Sequence, residues 1–122
     1  MLNKINFSEI KYAYNSLQFE ATGARIEASE DIAEGCLVVI NSDGKVEKAG
    51  SGDTPLGVNR FPVSAGQTAV VERQGILKNN STTSLALTPG SSVYAGANGT
   101  VIKTGTNPVG VALEADKFLL TL

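Results

Sequence analysis

Cys36 is the only thiol in the chain, and histidine is absent. These two facts remove most of the nucleophilic and metal-binding chemistry open to a small protein. Hydrolytic triads and zinc sites commonly need imidazole. One cysteine makes neither a disulfide nor a thiolate cage within one chain, and Cys36, in the apolar run Cys36-Leu37-Val38-Val39-Ile40, reads as a small buried apolar residue. Carboxylates remain. Glu30-Asp31 and Glu114-x-Asp116 are near neighbours, but at a turn or strand end they are ordinary solvated charges. Asp43, Glu47 and Asp53 offer the oxygen donors that calcium takes, at a spacing that matches no calcium loop. Gly50-Ser51-Gly52 and Gly96-Ala97-Asn98-Gly99 neither open a helix nor carry Gly-Lys-Ser/Thr, so they are hairpin ends rather than phosphate loops. The expectation is a protein that is not an enzyme and that holds no metal or cofactor.

The elements behind these residues follow from an internal echo. Residues 35–58 begin with Gly35, turn at Asp43-Gly44, run through Val46 and Lys48, and close on Pro55-Leu56-Gly57-Val58. Residues 90–111 begin with Gly90, turn at Asn98-Gly99, run through Val101 and Lys103, and close on Pro108-Val109-Gly110-Val111. The first glycine lies nine residues before the turn glycine in both copies. The step from turn glycine to proline is eleven residues, then nine. One supersecondary unit therefore occurs twice. Asp-Gly and Asn-Gly between apolar runs are hairpin signals. Gly57 inside a short strand marks a close backbone approach or a bulge. Gln67 to Lys78 is a strong strand region, Asn79 to Ser84 a polar loop, and the apolar end Phe118 to Leu122 is expected to be buried in a sheet. The predicted architecture is all-β: a small clip or barrel-like domain over residues 21–122 with an internal duplication.

Residues 1–20 differ. They hold Phe7, Tyr12, Tyr14 and Phe19 and contain neither glycine nor proline. Phe7, Ile10, Tyr14 and Leu17 recur at helical spacing, while Ile10, Tyr12 and Tyr14 also alternate as in a strand. Both readings stay open. The segment is either an arm that orders on a neighbour or partner, or a piece that packs on its own core.

Composition bounds the rest. At 122 residues the chain is one domain, long enough to bury a core without staples. Charged residues are 18% and the net charge is −2, with no basic face, so nucleic acid is not an expected partner. No apolar run approaches the roughly 20 residues of a membrane-spanning helix, so no membrane partner is expected. Met1-Leu2-Asn3-Lys4 does not lead into a signal peptide, which points to synthesis in a cytoplasm.

The run Ile32 to Val39, then Asp43-Gly44-Lys45-Val46, then Pro55-Leu56-Gly57-Val58, resembles the start of tailed-phage capsid cement, or head decoration, proteins. The continuation Gly66 to Gly75, the run Leu87-Thr88-Pro89-Gly90-Ser91-Ser92-Val93-Tyr94, and Val109-Gly110-Val111-Ala112 extend the likeness over residues 24 to 122. The stretch Ser29 to Gly35 is also similar to β-clip domains of the antifreeze-like class, which bears on fold rather than on sugar binding. The resemblance implies a small all-β virion protein, often trimeric, on the outside of an expanded icosahedral head, made in the host cytoplasm. It implies the major capsid protein as partner. An N-terminal arm often helps docking in such families, and by position alone Phe7, Ile10, Tyr12, Tyr14 and Leu17 are the candidate docking residues. The alternatives are a head fibre base or tail component, and a carbohydrate- or ligand-binding β domain. Absence of tryptophan argues against sugar stacking, although Tyr94, Tyr12 or Tyr14 could supply a ring.

Overall fold

A computed structural model describes residues 23–122. Ten strands form two five-stranded sheets. The first sheet holds β1 (Ala24–Glu27), β2 (Leu37–Ile40), β3 (Val46–Lys48), β4 (Gly57–Asn59) and β5 (Thr68–Glu72), in the order β1-β5-β4-β2-β3. The second holds β6 (Gln74–Lys78), β7 (Ser92–Ala95), β8 (Val101–Ile102), β9 (Pro108–Glu114) and β10 (Lys117–Thr121), in the order β6-β10-β9-β7-β8. Set against each other in chain order, the two sheets have the same topology. The repeat legible in sequence as a three-strand unit thus extends over five strands. All strand pairs are antiparallel.

The region Gln67 to Lys78, continuous in sequence pattern, is divided. Arg73 separates β5 from β6, and the chain changes sheets there. The turns behave as their residues dictate. Asn98 and Gly99 both take positive φ, +55° and +74°, which the Asn-Gly pair tolerates at little cost. At the first turn Asn41 Oδ1 accepts hydrogen bonds from the amides of Asp43 and Lys45, at 3.0 and 3.1 Å. Asn41 therefore shapes the hairpin as much as Asp43-Gly44 does.

Two cores result. Ala28, Ile32, Val38, Val46, Ala69 and Val71 fill the first half. The first sheet curls so far that its edge strands meet: a parallel bridge joins Ala28 to Val46, and the Ser29 amide donates to the Val46 carbonyl at 2.9 Å. That contact closes a small barrel. The second core lies between the halves and includes Leu37, Val58, Val93, Val109, Phe118 and Leu120. Leu37 and Val38 point to opposite faces of β2, as neighbours on a strand must, and each is buried in a different core. This explains the unbroken apolar run of β2. Cys36 is half-buried beside the first core, short of the full burial expected from its run. At the C-terminus only Phe118 and Leu120 are buried among the strand's apolar residues, while Leu119 is half-buried, because β10 has one face on the core and one turned away.

Candidate functional site

Of the carboxylates singled out above, Glu30, Asp31, Asp53 and Asp116 accept hydrogen bonds from the backbone. Glu30 accepts from the Lys48 amide at 2.9 Å, Asp31 from the Ala65 amide at 2.9 Å, and Asp53 from the Gly50 amide at 2.7 Å. Glu114 pairs with Lys117 at 3.1 Å. Asp116, in the turn between β9 and β10, holds the loop across from it. It accepts from Asn79 Nδ2 at 2.9 Å, from the Leu85 amide at 2.6 Å and from Ser84 Oγ at 2.9 Å. The Asn79 amide group, then the Leu85 amide and the Ser84 hydroxyl, lower the Asp116 pKa below its ordinary value by stabilising the carboxylate. Among the described residues no three of Asp, Glu and Cys come together as a metal cage, and Asp43, Glu47 and Asp53 are not brought to one point.

What the second half presents instead is an apolar face. Ile76 of β6 lies opposite Leu119 of β10, Leu119 opposite Val111 of β9, and Val111 opposite Ser92 of β7. Directly opposed residues share a face of the sheet. Their chain neighbours Phe118, Leu120 and Ala112 are buried in the core, so this row faces outward. Ile76 is 65% exposed, Val111 39% and Leu113 40%. Tyr94 and Ile102, paired across β7 and β8, continue the same surface. An antiparallel sheet with one face on the core ordinarily turns polar residues to water; here Ile76, Leu119 and Val111 stand among the polar residues Gln74, Lys78, Ser92, Lys117 and Thr121 of that face.

The first half shows what the row is for structurally. Its corresponding residues are Leu37, Val58 and Glu72, paired across β2, β4 and β5. There Leu37 and Val58 are buried in the core between the halves. The same face that welds the first half to the second is left uncovered on the second, among the described residues. The sequence pattern placed Ile76 in a strand and Val111 in the repeated motif, and it expected Leu119 to be buried with the rest of Phe118 to Leu122; it did not mark these residues or Leu113 as an outward face. Their signal was present in the apolar pairs Ile76-Leu77 and Leu119-Leu120 and in Val109 to Leu113. Consecutive apolar residues in a strand place apolar surface on both faces.

A cleft of about 780 Å³ opens beside this face. β6, with Gln74 to Lys78, forms one wall, and Gly99, Thr100 and Val101 form the other. Val58, Leu77, Leu85 and Phe118 line it, with Glu34, Arg60, Glu72 and Lys78 also contributing. Asn59 lines it too. Its Nδ2 donates to the carbonyls of Ile32 and Ala33 at 3.1 and 3.0 Å, while its buried Oδ1 lacks a partner among the described residues. The candidate docking residues Phe7, Ile10, Tyr12, Tyr14 and Leu17 lie outside the described residues.

Three comparisons bear on this arrangement. No curated protein matches the chain. Among solved structures, the head fiber gp8.5 N base of bacteriophage phi29 is similar in fold, with a TM-score of 0.60 at 17% identity, over 80% of this chain and 90% of that one. The profile of the phage cement proteins matches residues 19–117, a span that takes in both halves of the repeat, and the chain therefore belongs to the phage cement protein family of structural virion proteins.

Proposed function

We propose that the chain binds the outer surface of an icosahedral phage head and stabilises the shell, with the major capsid protein as its partner. The observation that carries this reading is the outward row Ile76–Leu119–Val111, extended by Leu113 and Ile102. Contiguous exposed apolar surface on a small protein marks an interaction site. A cement protein needs complementary surface rather than chemistry, and the carboxylates of Glu30, Asp31, Glu114 and Asp116 are engaged in backbone hydrogen bonds or a surface ion pair. A single contact of about 800 Å² per partner gives modest affinity. Assembly as a homotrimer multiplies that affinity where the three sites match the lattice of the shell. A protein that binds only the assembled shell stabilises it by mass action.

The test compares heads with and without the bound protein, heated or treated with chelator. The proposal expects a higher rupture temperature for decorated heads. Equal rupture temperatures at saturating protein overturn the stabilising role.

A second reading, the base of a head fibre, draws on the fold likeness to the phi29 fibre base. It is separated from the first by composition of the particle. A fibre base retains a second, elongated protein at a fixed ratio on purified virions, and a decoration protein does not.

A further inference from the structure

We infer, on the head-binding reading above, that the head surface under this face carries a carboxylate beside its apolar contact, and that Lys78 and Lys117 receive it. Beside the apolar row Ile76–Leu119–Val111 runs a charged one. Lys78 of β6 lies opposite Lys117 of β10, and Lys117 opposite Glu114 of β9. Lys78 and Lys117 are two residues from Ile76 and Leu119 along their strands, so both rows stand on the same outward face. Two residues of strand set the rows about 7 Å apart.

The fold gains nothing from this pairing of lysines. The Asn79 amide donates to the Asp116 carbonyl, so the next pair on the ladder, Lys78 with Lys117, is a non-hydrogen-bonded one, the kind that brings side chains closest. Like charges directly opposed across two strands are destabilising. Among the described residues Glu114 is the one carboxylate in ion-pair contact with either lysine, at 3.1 Å from Lys117, and Lys78 has none. The Asp116 carboxylate, next in the chain, is taken up by Asn79, Ser84 and Leu85. The first half avoids the conflict. In the equivalent place of its sheet Arg25 faces Val70, and Lys45 and Lys48 pair with Glu27 and Glu30.

Charge complementarity thus names the partner's chemistry. A chain of net charge −2 keeps two lysines and one glutamate in the row that borders its apolar one. Lys78 is exposed and Lys117 half-buried. A partner carboxylate placed between the two ammonium groups relieves their repulsion. With the apolar row in contact beside it, water is excluded, and the pair attracts more strongly than it would in open solvent. Such a pair fixes the register of docking as well as its strength.

The experiment measures binding to mature heads for wild type, Lys78→Glu, Lys78→Arg and Arg25→Glu, the last making the same change of charge on the first half. At about 0.1 M salt, where charges act over about 10 Å, Lys78→Glu should bind at least about tenfold more weakly than wild type. Lys78→Arg and Arg25→Glu should stay within about threefold of it. At about 1 M salt the screening length falls to about 3 Å, and wild type and Lys78→Glu should converge to within about threefold. Without heads, Lys78→Glu should melt no lower than wild type, since it turns a like-charge pair into an opposite one. A folded Lys78→Glu protein that binds as wild type does overturns the inference and leaves Lys78 as a guard of the open β6 edge. Equal losses in Lys78→Glu and Arg25→Glu also overturn it, because they trace to net charge. If Lys78→Glu does not fold, carbodiimide coupling of wild type on heads decides. An amide from Lys78 or Lys117 to a carboxylate of the capsid protein supports the inference, and its absence contradicts it. Wild-type protein that does not bind heads removes the head-binding reading and this inference with it, whereas the other failures leave that reading standing.

Discussion

Gly57 and Gly110 hold the same place in the two halves of the molecule. Gly57 lies opposite Val38 and Gly110 opposite Val93, and Val38 and Val93 each sit at the centre of a core. A Cβ on Gly57 would come within 2.5 Å of the Glu72 carbonyl oxygen, and one on Gly110 would strike the carbonyl of Leu119. Glu72 and Leu119 are themselves equivalent, on β5 and β10. The motif Pro-x-Gly-Val, present twice, is thus kept by a crossing of backbones that leaves no room for a side chain.

Gly57→Ala and Gly110→Ala should each destabilise the fold by about 1–3 kcal/mol or more, because the atom in the way is backbone and cannot swing aside. Gly44→Ala is the control. Its φ is +77° with open space around the missing Cβ, so only conformational strain of about 1–2 kcal/mol applies. Urea unfolding of the three variants checks the order. A Gly110→Ala protein no less stable than Gly44→Ala contradicts it.

Asn59 ties β4 to the segment before β2 through two hydrogen bonds, the one to Ile32 buried and the one to Ala33 partly so. Asn59→Ala should cost about 1–3 kcal/mol, since the Ile32 and Ala33 carbonyls each lose one of their two donors, the others being the Val63 and Cys36 amides. Asn59→Asp should cost more, because a buried carboxylate offers acceptors to carbonyls that need a donor. Thermal unfolding of both variants at neutral pH measures the difference.

The Asp116 carboxylate fixes the loop from Asn79 to Leu85. Its folded pKa is lowered by donors from Asn79, Leu85 and Ser84. The stability it contributes is therefore fully present above the ordinary aspartate value of about 3.9. That contribution is lost as pH falls through the lower folded value. Protection of the Leu85 amide from hydrogen exchange should be constant near neutral pH and fall in acid. In Asp116→Asn it should be low throughout. Equal protection in wild type and variant near neutral pH contradicts this account.

Much of the fold was legible because it rests on local chemistry. Asp43-Gly44, Asn98-Gly99 and the recurring Gly-Val pairs announce turns and close crossings wherever they fall. The break at Arg73 was not legible, since Thr68 to Lys78 carries an unbroken strand pattern and only the tertiary arrangement sends β5 and β6 to different sheets. The outward face was hidden for a related reason. Val111 and Val58 have the same local surroundings in sequence, yet Val58 is buried between the halves and Val111 is exposed. Which copy of a repeated face is covered depends on how the copies stack, and no residue type records that.

The central claim is that the outer face of the second sheet binds a phage head. The direct measurement is co-sedimentation of purified protein with mature, expanded heads, for wild type and for an Ile76→Glu/Val111→Glu variant. Both substituted residues are exposed, so the variant should fold with stability within about 1 kcal/mol of wild type. The account predicts saturable pelleting of wild type at a fixed number of copies per head, with at least about a tenfold loss of affinity in the variant. Wild-type protein that stays in the supernatant, or a folded variant that pellets as wild type does, contradicts it.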